Sequence, residues 1–318
     1  MRAIAQPNIA LIKYWGKRDT EQNLPAVGSI SVTLRDLYTA MQVEFDDGLE
    51  RDELTVNGAG DNSMLPRLSA CLDRVAGSDR AHARIFSDCN FPIAAGLASS
   101  ASAFAAATVA AAAAAGKEFT IAELANLAGQ ASGSAARSVL GGFVELSNRG
   151  SGIEVTSLRA AAEWPLNVVV AITETGPKAV GSTEAMEISR RTSPFYSSWV
   201  EQQEQDLATA RSAIAERDFG KLAAIAEHNC LKMHSIMWAS RPPMVYWNSA
   251  TMRCLQTVRR LQRAGIEVFF TIDAGPQVKA VCLPEHAVKV AAALSETDGV
   301  VDVMTTAIGE AARLMDES

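Results

Sequence analysis

The chain has 318 residues, a length at which one hydrophobic core usually gives way to two domains. Its 48% hydrophobic and 20% charged content is that of an ordinary globular protein and excludes a disordered or fibrous chain. With 36 acidic against 29 basic side chains the net charge is −7, so there is no electrostatic footprint for nucleic acid or an anionic membrane, and an anionic ligand must be gripped by a local cluster.

The first residues lack the apolar run and cleavage pattern of a signal peptide. Cys71, Cys89, Cys230, Cys254 and Cys282 are odd in number and share no C-x-x-C spacing, which suits a reducing, cytoplasmic setting. Along the chain, β-branched or alternating runs predict strands at Ser29–Leu34, Tyr38–Phe45 and Ala83–Ser87. Helical periodicity follows at Ala98–Ala115 and Ile121–Ala128. Strands return at Phe143–Leu146, Ile153–Leu158 and Asn167–Ile172. A mostly helical stretch comes next, with helices at Thr183–Arg190, Ser197–Glu216, Lys221–Ile236 and Ser249–Ala264. Strands at Val268–Ile272 and Val278–Leu283, a helix at Glu285–Leu294 and a strand at Val300–Thr305 complete the list. Strands and helices mix without strict alternation, so the expectation is two α+β halves joined near Trp164–Thr175. The uncharged run from Phe91 to Gly116 is long enough to span a bilayer. Between Ala94 and Ala115, however, 14 of 22 residues are alanine, which offers too little lipophilic surface for insertion and suits a helix packed closely against other backbones.

The P-loop, Rossmann and zincin signatures are absent. Four other segments carry chemistry. Phe91-Pro92-Ile93-Ala94-Ala95-Gly96-Leu97-Ala98-Ser99-Ser100 puts a glycine and two serines at the start of the alanine helix. Unpaired N–H groups and a partial positive charge at such a start receive phosphate, and the serine hydroxyls add donors or a Mg2+ ligand; an N-capped core helix is the alternative. Ser132-Gly133-Ser134-Ala135-Ala136-Arg137 places a guanidinium three residues after Ser134, on one face of a helix turn, where its fork suits a carboxylate or phosphate. A surface arginine behind a serine cap is the plainer reading. Lys13 interrupts the apolar run Ile9-Ala10-Leu11-Ile12 and is flanked by Tyr14 and Trp15, so its ammonium is expected to be partly buried and to need an anion; snorkelling to solvent is the alternative. Asp273 closes the apolar strand Phe269-Phe270-Thr271-Ile272 just before Gly275-Pro276, either as a functional carboxylate or as a turn former.

Taken together and in this order, these segments resemble the diphosphomevalonate decarboxylases of the GHMP kinase superfamily. The resemblance runs through Asn8-Ile9-Ala10, Lys13-Tyr14-Trp15-Gly16-Lys17-Arg18-Asp19, Leu24-Pro25, Ser29-Ile30-Ser31-Val32-Thr33-Leu34, Ala95-Gly96-Leu97-Ala98-Ser99-Ser100-Ala101, Gly133-Ser134-Ala135, Arg137-Ser138 and Asp273-Ala274-Gly275-Pro276. It implies a two-domain α+β GHMP-kinase-like fold, with a mixed β/α ATP-binding domain over 1–168, a helix-rich α+β domain over 169–318, and the active site in the cleft between them. It implies ATP and Mg2+ as cofactors. The expected reaction is phosphorylation of the 3-hydroxyl of 5-diphosphomevalonate, followed by loss of phosphate and CO2 to give isopentenyl diphosphate. By the same resemblance Ala95, Gly96, Leu97, Ala98, Ser99 and Ser100 hold ATP, with Ser100 also at the metal. Arg137 grips the substrate's C1 carboxylate, Tyr14, Lys17, Ser132 and Ser134 line its 5-phosphate end, and Lys13 and Asp273 form the pair at the reacting centre.

Two positions depart from the family pattern. Val27 stands where many members carry an asparagine, and Gln277 follows the aspartate turn where asparagine is common. A 5-phosphomevalonate decarboxylase giving isopentenyl phosphate is one alternative. A kinase that stops at phosphorylation is a second, although Arg137 would then have no carboxylate to clamp. A catalytically inert binding module on this fold is a third. The expected partner is a small phosphorylated mevalonate, with no nucleic acid and no membrane, and a homodimer is the default assembly.

Overall fold

The computed structural model describes residues 1–91, 98–150, 152–176 and 180–315. Ala95, Gly96 and Leu97 of the expected phosphate-binding segment lie outside the described residues.

Among the described residues three principal sheets form. The first runs in the order Arg313–Leu314, Arg2–Ala5, Thr39–Phe45, Ala83–Cys89, Glu53–Val56 and Ala59–Gly60. It is antiparallel except where Glu53–Val56 pairs in parallel with Ala83–Cys89. The second is antiparallel in the order Gly152–Arg159, Phe143–Arg149, Ser29–Thr33 and Asn8–Ile12. The third is antiparallel in the order Val268–Thr271, Val278–Cys282, Asn167–Ile172 and Asp302–Ala307. The chain therefore builds two sheets before about residue 160, and a third, with the long helices, after it. The end then returns: Arg313 and Leu314 pair with Ile4 and Ala3 at the edge of the first sheet.

The alanine helix, Ser99–Ala114, is buried on nearly all sides. Ala101, Ala105, Ala106, Ala107, Ala110 and Ala111 have no solvent exposure. The helix packs on the strands Arg2–Ala5 and Thr39–Phe45 and on the helices Leu65–Ala76 and Ile121–Ala131. Alanine is the best helix former and keeps the cylinder thin, so neighbouring backbones can close in on every face. Among the described residues no helix is long and apolar enough to cross a membrane.

The expected helices and strands are present, with ends moved by a few residues. The helix expected over Glu285–Leu294 starts later: Pro284–His286 forms a 3-10 turn, and the α-helix occupies Ala287–Ser295. The last expected strand, Val300–Thr305, is shifted forward to Asp302–Ala307. Among the elements not expected are a strand and a helix of the first half. Asn8–Ile12 is a strand buried at every residue, so it shows none of the alternation that marks a half-exposed strand. Leu65–Ala76 is a helix whose buried face, Leu68, Cys71, Leu72 and Val75, has clean helical spacing, but Met64 at its start makes no side-chain cap.

The largest core cluster joins the two halves. Ile9, Leu11, Val32 and Phe143 from the first half meet Val168, Leu207, Phe219 and Phe269 from the second. Asn8–Ile12 is the edge of its sheet, and it carries the chain directly from this seam to Lys13.

Candidate functional site

Lys13 and Asp273 meet although 260 residues separate them: Lys13 Nζ lies 2.7 Å from Asp273 Oδ1. The lysine side chain is 1% exposed and the carboxylate 28%, so the ammonium sits beneath and the carboxylate faces outward. The expectation of a buried Lys13 with an anionic partner holds in this geometry. Asp273 is not a side-chain turn former, because the turn is closed by its main-chain carbonyl, which accepts from the Gly275 N–H at 2.8 Å. Burial alone would raise the Asp273 pKa, but Lys13 and then Lys279 hold it well below the ordinary carboxylate range. Lys279 was not anticipated. Its Nζ lies 3.4 Å from Asp273 Oδ2, and its side chain is 1% exposed.

The main chain of Lys13 is fixed from two helices. Its N–H donates to Asn229 Oδ1 at 2.7 Å, and its carbonyl accepts from Gln203 Nε2 at 2.8 Å. Gln203 also donates to the Gly28 carbonyl, and Asn229 donates to Gln203 Oε1 and Asp206 Oδ2. Asp206 is in turn paired with Lys232 at 2.8 Å. Every polar atom of the two amides that this network uses is paired, which is the condition under which a buried polar network rigidifies a site. Asn229 and Gln203 lie on helices whose periodicity is visible in the sequence, yet a polar residue on a helix does not announce which face is buried.

Arg137 is almost wholly buried, at 2% exposure. It donates from Nε to Ser31 Oγ at 2.9 Å, from one terminal nitrogen to Ser29 Oγ at 2.6 Å and from the other to Asn8 Oδ1 at 3.2 Å. All three acceptors are neutral, and among the described residues no carboxylate lies within ion-pair distance of the guanidinium. Burial lowers its pKa to about 10, with Tyr14 and Asp273 opposing, so it remains cationic at neutral pH. The hydroxyls expected beside Arg137 were those of Ser132 and Ser134. The guanidinium itself is held by Ser29 and Ser31, because Arg137 lies on a four-residue helix, Ala135–Ser138, whose buried side faces the Ser29–Thr33 strand. Asn8 is the hinge of the arrangement, donating to Ser138 Oγ and to the Ser134 carbonyl while accepting from Arg137.

Tyr14 belongs to the same cluster. The Arg137 guanidinium lies 5.9 Å from its ring centroid, and burial pushes its hydroxyl up to about 12. That hydroxyl is buried with no hydrogen-bond partner among the described residues. Gly133 makes room for it, since a Cβ there would come within 2.5 Å of the Tyr14 oxygen. Ser132 Oγ and Ser134 Oγ are 3.4 Å apart on either side of this glycine.

Two expected groups sit apart from the cluster. Lys17, whose pKa is lowered by burial and by Arg67, reaches to 3.5 Å from Thr183 Oγ1. It lines a cleft of about 730 Å³ together with Thr183, Glu184, Arg191 and Arg241; neither Asp273 nor Arg137 is part of that lining. Ser99 and Ser100 begin the alanine helix behind Ala98, whose backbone is left-handed at φ 55°. Neither serine makes a side-chain cap, so the capping alternative fails, and their partly exposed hydroxyls at a helix start fit phosphate oxygens or a cation. No contact among the described residues ties Ser99 or Ser100 to Arg137 or Asp273. Ser100→Ala is therefore expected to slow phosphoryl transfer by about tenfold or more, without the ~0.5–2 kcal/mol loss of stability that a removed cap brings. Single-turnover rates beside denaturant melts check this, and a destabilised variant with normal rates would return Ser100 to a capping role.

Comparison with known proteins finds matches along nearly the whole chain. Residues 5–158 match the model of a diphosphomevalonate decarboxylase-like N-terminal domain, and residues 168–315 match that of a mevalonate 5-diphosphate decarboxylase C-terminal domain. The diphosphomevalonate decarboxylase of Candida albicans is 33% identical over 293 residues, covering 86% of this chain and 81% of the relative. The human diphosphomevalonate decarboxylase is 33% identical over 320 residues, covering 91% and 78%. The solved mevalonate diphosphate decarboxylase of Staphylococcus aureus superposes with a TM-score of 0.92 at 34% identity, covering 99% of this chain and 97% of that one. A further solved structure, in complex with MVAPP, AMPPCP and magnesium, superposes with a TM-score of 0.91 at 33% identity, covering 99% and 98%. With both halves matched in order and the fold shared from end to end, the chain belongs to the diphosphomevalonate decarboxylase family.

Proposed function

We propose that the protein uses ATP and Mg2+ to phosphorylate the 3-hydroxyl of 5-diphosphomevalonate and then releases phosphate and CO2, yielding ADP and isopentenyl diphosphate. The observation that carries this reading is Arg137: a buried guanidinium, held rigidly by three neutral acceptors, beside a Lys13–Asp273–Lys279 group. Burying a charge without a counter-charge is costly, so such a group is retained where a ligand completes it. A carboxylate fits the planar fork.

The division of labour follows from the charges. ATP with Mg2+ supplies the phosphoryl group that turns hydroxide into a good leaving group. The Ser99 and Ser100 hydroxyls and the helix start would receive its phosphates, together with Ala95, Gly96, Leu97 and Ala98 of the same segment. Mg2+ keeps most of its ligands as phosphate oxygens and water, so one protein hydroxyl such as that of Ser100 suffices. Asp273, held ionised by two ammoniums, is a poor base but a well-fixed acceptor for the 3-hydroxyl. Phosphoryl transfer tolerates this, because its loose transition state asks little of the nucleophile's deprotonation. As the C3–O bond lengthens, positive charge grows at C3, and the same carboxylate is the anion placed to offset it. Arg137 keeps the C1 carboxylate in position until the C–C bond breaks. Tyr14, Ser132 and Ser134 contribute hydroxyls to the substrate's phosphorylated end, and Lys17 a cation. The family relative solved with MVAPP, AMPPCP and magnesium supports the pairing of substrate and cofactors.

Domains over 1–168 and 169–318, a cytoplasmic location and a homodimeric assembly are part of this proposal. The cytoplasmic reading rests on five cysteines that are all free.

The test is incubation with ATP, Mg2+ and, separately, mevalonate, its 5-phosphate and its 5-diphosphate, followed by measurement of ADP and CO2. One ADP per CO2, with the diphosphate preferred, is expected. ADP without CO2 would make the protein a kinase, CO2 without ATP would remove phosphorylation from the mechanism, and preference for the monophosphate would reassign the substrate.

A further inference from the structure

We infer that Lys279 is a positioning residue for the reaction, which locks the plane of the Asp273 carboxylate by holding its second oxygen. The inference deepens the reading of the site given above and rests on it. Rotation of an aspartate carboxylate about its last bond is broad and nearly two-fold, so one ion pair fixes one oxygen and leaves the plane free to swing. In this site the two oxygens have separate cations: Lys13 Nζ lies 2.7 Å from Oδ1 and Lys279 Nζ lies 3.4 Å from Oδ2. The two lysines come from different parts of the fold. Lys13 follows the Asn8–Ile12 strand, while Lys279 is the second residue of Val278–Cys282, opposite Thr271 on one neighbour and Val170 on the other. Side chains two residues apart along a strand direction share a face, so the Thr271 register places Lys279 beside the residue two positions beyond Thr271, which is Asp273. Thr271 Oγ1 in turn donates to the Ala10 carbonyl at 3.1 Å, tying this strand to the one that delivers Lys13.

The position is an expensive one for an ammonium. Val278, Ala280, Val281 and Cys282 around it are all fully buried, so an apolar side chain is what packing alone would favour. The carboxylate itself is 28% exposed against 1% for either lysine, which leaves its outward lone pairs to the substrate hydroxyl while the lysines grip it from within. Besides these two lysines, the charged or titratable groups facing Asp273 are Arg137, His234 and Cys230. Burial lowers His234 to about 3 and raises the Cys230 thiol, so both are neutral near pH 7; burial also lowers Lys279, against the raising pull of Asp273.

The experiment compares the parent enzyme with Lys279→Met and Lys279→Gln, reading kcat, KM for both substrates, the pH profile of kcat and the melting temperature. For Lys279→Met the expected result is a fall in kcat of about tenfold to 10²-fold, as for a reacting group misplaced by a fraction of its working distance. KM should change little and the melting temperature should hold or rise. The acid limb of kcat should also move to higher pH: removing a cation destabilises the ionised carboxylate, which then takes up its proton earlier as pH falls. Lys279→Gln, which keeps a donor for Oδ2 without the charge, should recover part of kcat and leave the limb shifted. Normal kcat in a folded variant, or a loss confined to KM, would overturn the assignment. Failure of both variants to fold would overturn it too, in favour of a purely structural lysine. A parent enzyme that releases no CO2 would instead sink the functional reading on which it rests, so the two failures are separable.

Discussion

Asp273→Asn is expected to reduce kcat by about 10²- to 10⁴-fold, the range associated with a group that handles the reacting proton. The change keeps the size of the side chain and one acceptor oxygen, but it removes the carboxylate charge that both buried ammoniums share. Lys13 and Lys279 would then repel each other across a neutral amide, and the 3-hydroxyl would lose the acceptor that orients it. Substrate Kd should change far less, because the diphosphate and C1 carboxylate are held elsewhere. The charge state also sets the pH response of the parent enzyme. Since the Asp273 pKa is depressed, the ionised form persists from neutral pH well into the acid range, and activity limited by this group is lost only as pH falls through that depressed value. Rapid-quench measurement of bound phosphorylated product, beside a thermal melt, distinguishes this from a stability effect. Normal kcat in the folded fraction would remove Asp273 from the chemistry.

Arg137→Lys is expected to lower kcat/KM by about 10²- to 10³-fold, equivalent to the loss of one well-placed donor to a developing or departing charge. Lysine retains a cation but cannot reproduce the three-way attachment to Ser29, Ser31 and Asn8 while also presenting two parallel N–H groups. Partial loss of function should follow even from Asn8→Ala, since this amide orients the guanidinium, but the lysine variant is the sharper test. ATP binding should be unaffected, which equilibrium titration with a fluorescent nucleotide would show. Retained kcat/KM in the lysine variant would falsify the carboxylate clamp.

Much of the chemistry was legible because it appears as polar residues in places that local structure would fill with apolar ones. Lys13 in an apolar run, Arg137 behind two serines and Asp273 at the end of Phe269–Ile272 were each visible in this way, and the structure draws these three into one cluster. Lys279 carries the same signature, a lysine inside Val278–Cys282, and went unread because no motif pointed at it. Asn8, Ser29 and Ser31 were quoted as part of a family pattern but given no role. Their function arises only when the second sheet pairs, since the Asn8–Thr33 and Ala10–Ser31 register brings the strands alongside. Asn229 and Gln203 were invisible for a related reason: helical periodicity shows that a face exists, not that its amides will bind the backbone of a residue some 190 to 216 positions away. In the fold, the fully buried strand Asn8–Ile12 lacked the alternation that marks a strand, whereas the helix Leu65–Ala76 carried its spacing in the sequence and was passed over.

The return of Arg313 and Leu314 to the edge of the first sheet bears on how the protein is made. During vectorial synthesis the strand Arg2–Ala5 emerges before both of its partners and can pair on one side with Thr39–Phe45 as soon as that segment leaves the ribosome. Its other side stays open until residue 314 has been added and released from the exit tunnel. An unpaired strand edge is a template for association with other nascent chains. The first sheet thus stays unfinished until a segment made some three hundred residues after its founding strand arrives, and Arg313–Leu314 acts as the clasp that joins the order of synthesis to the completion of the fold.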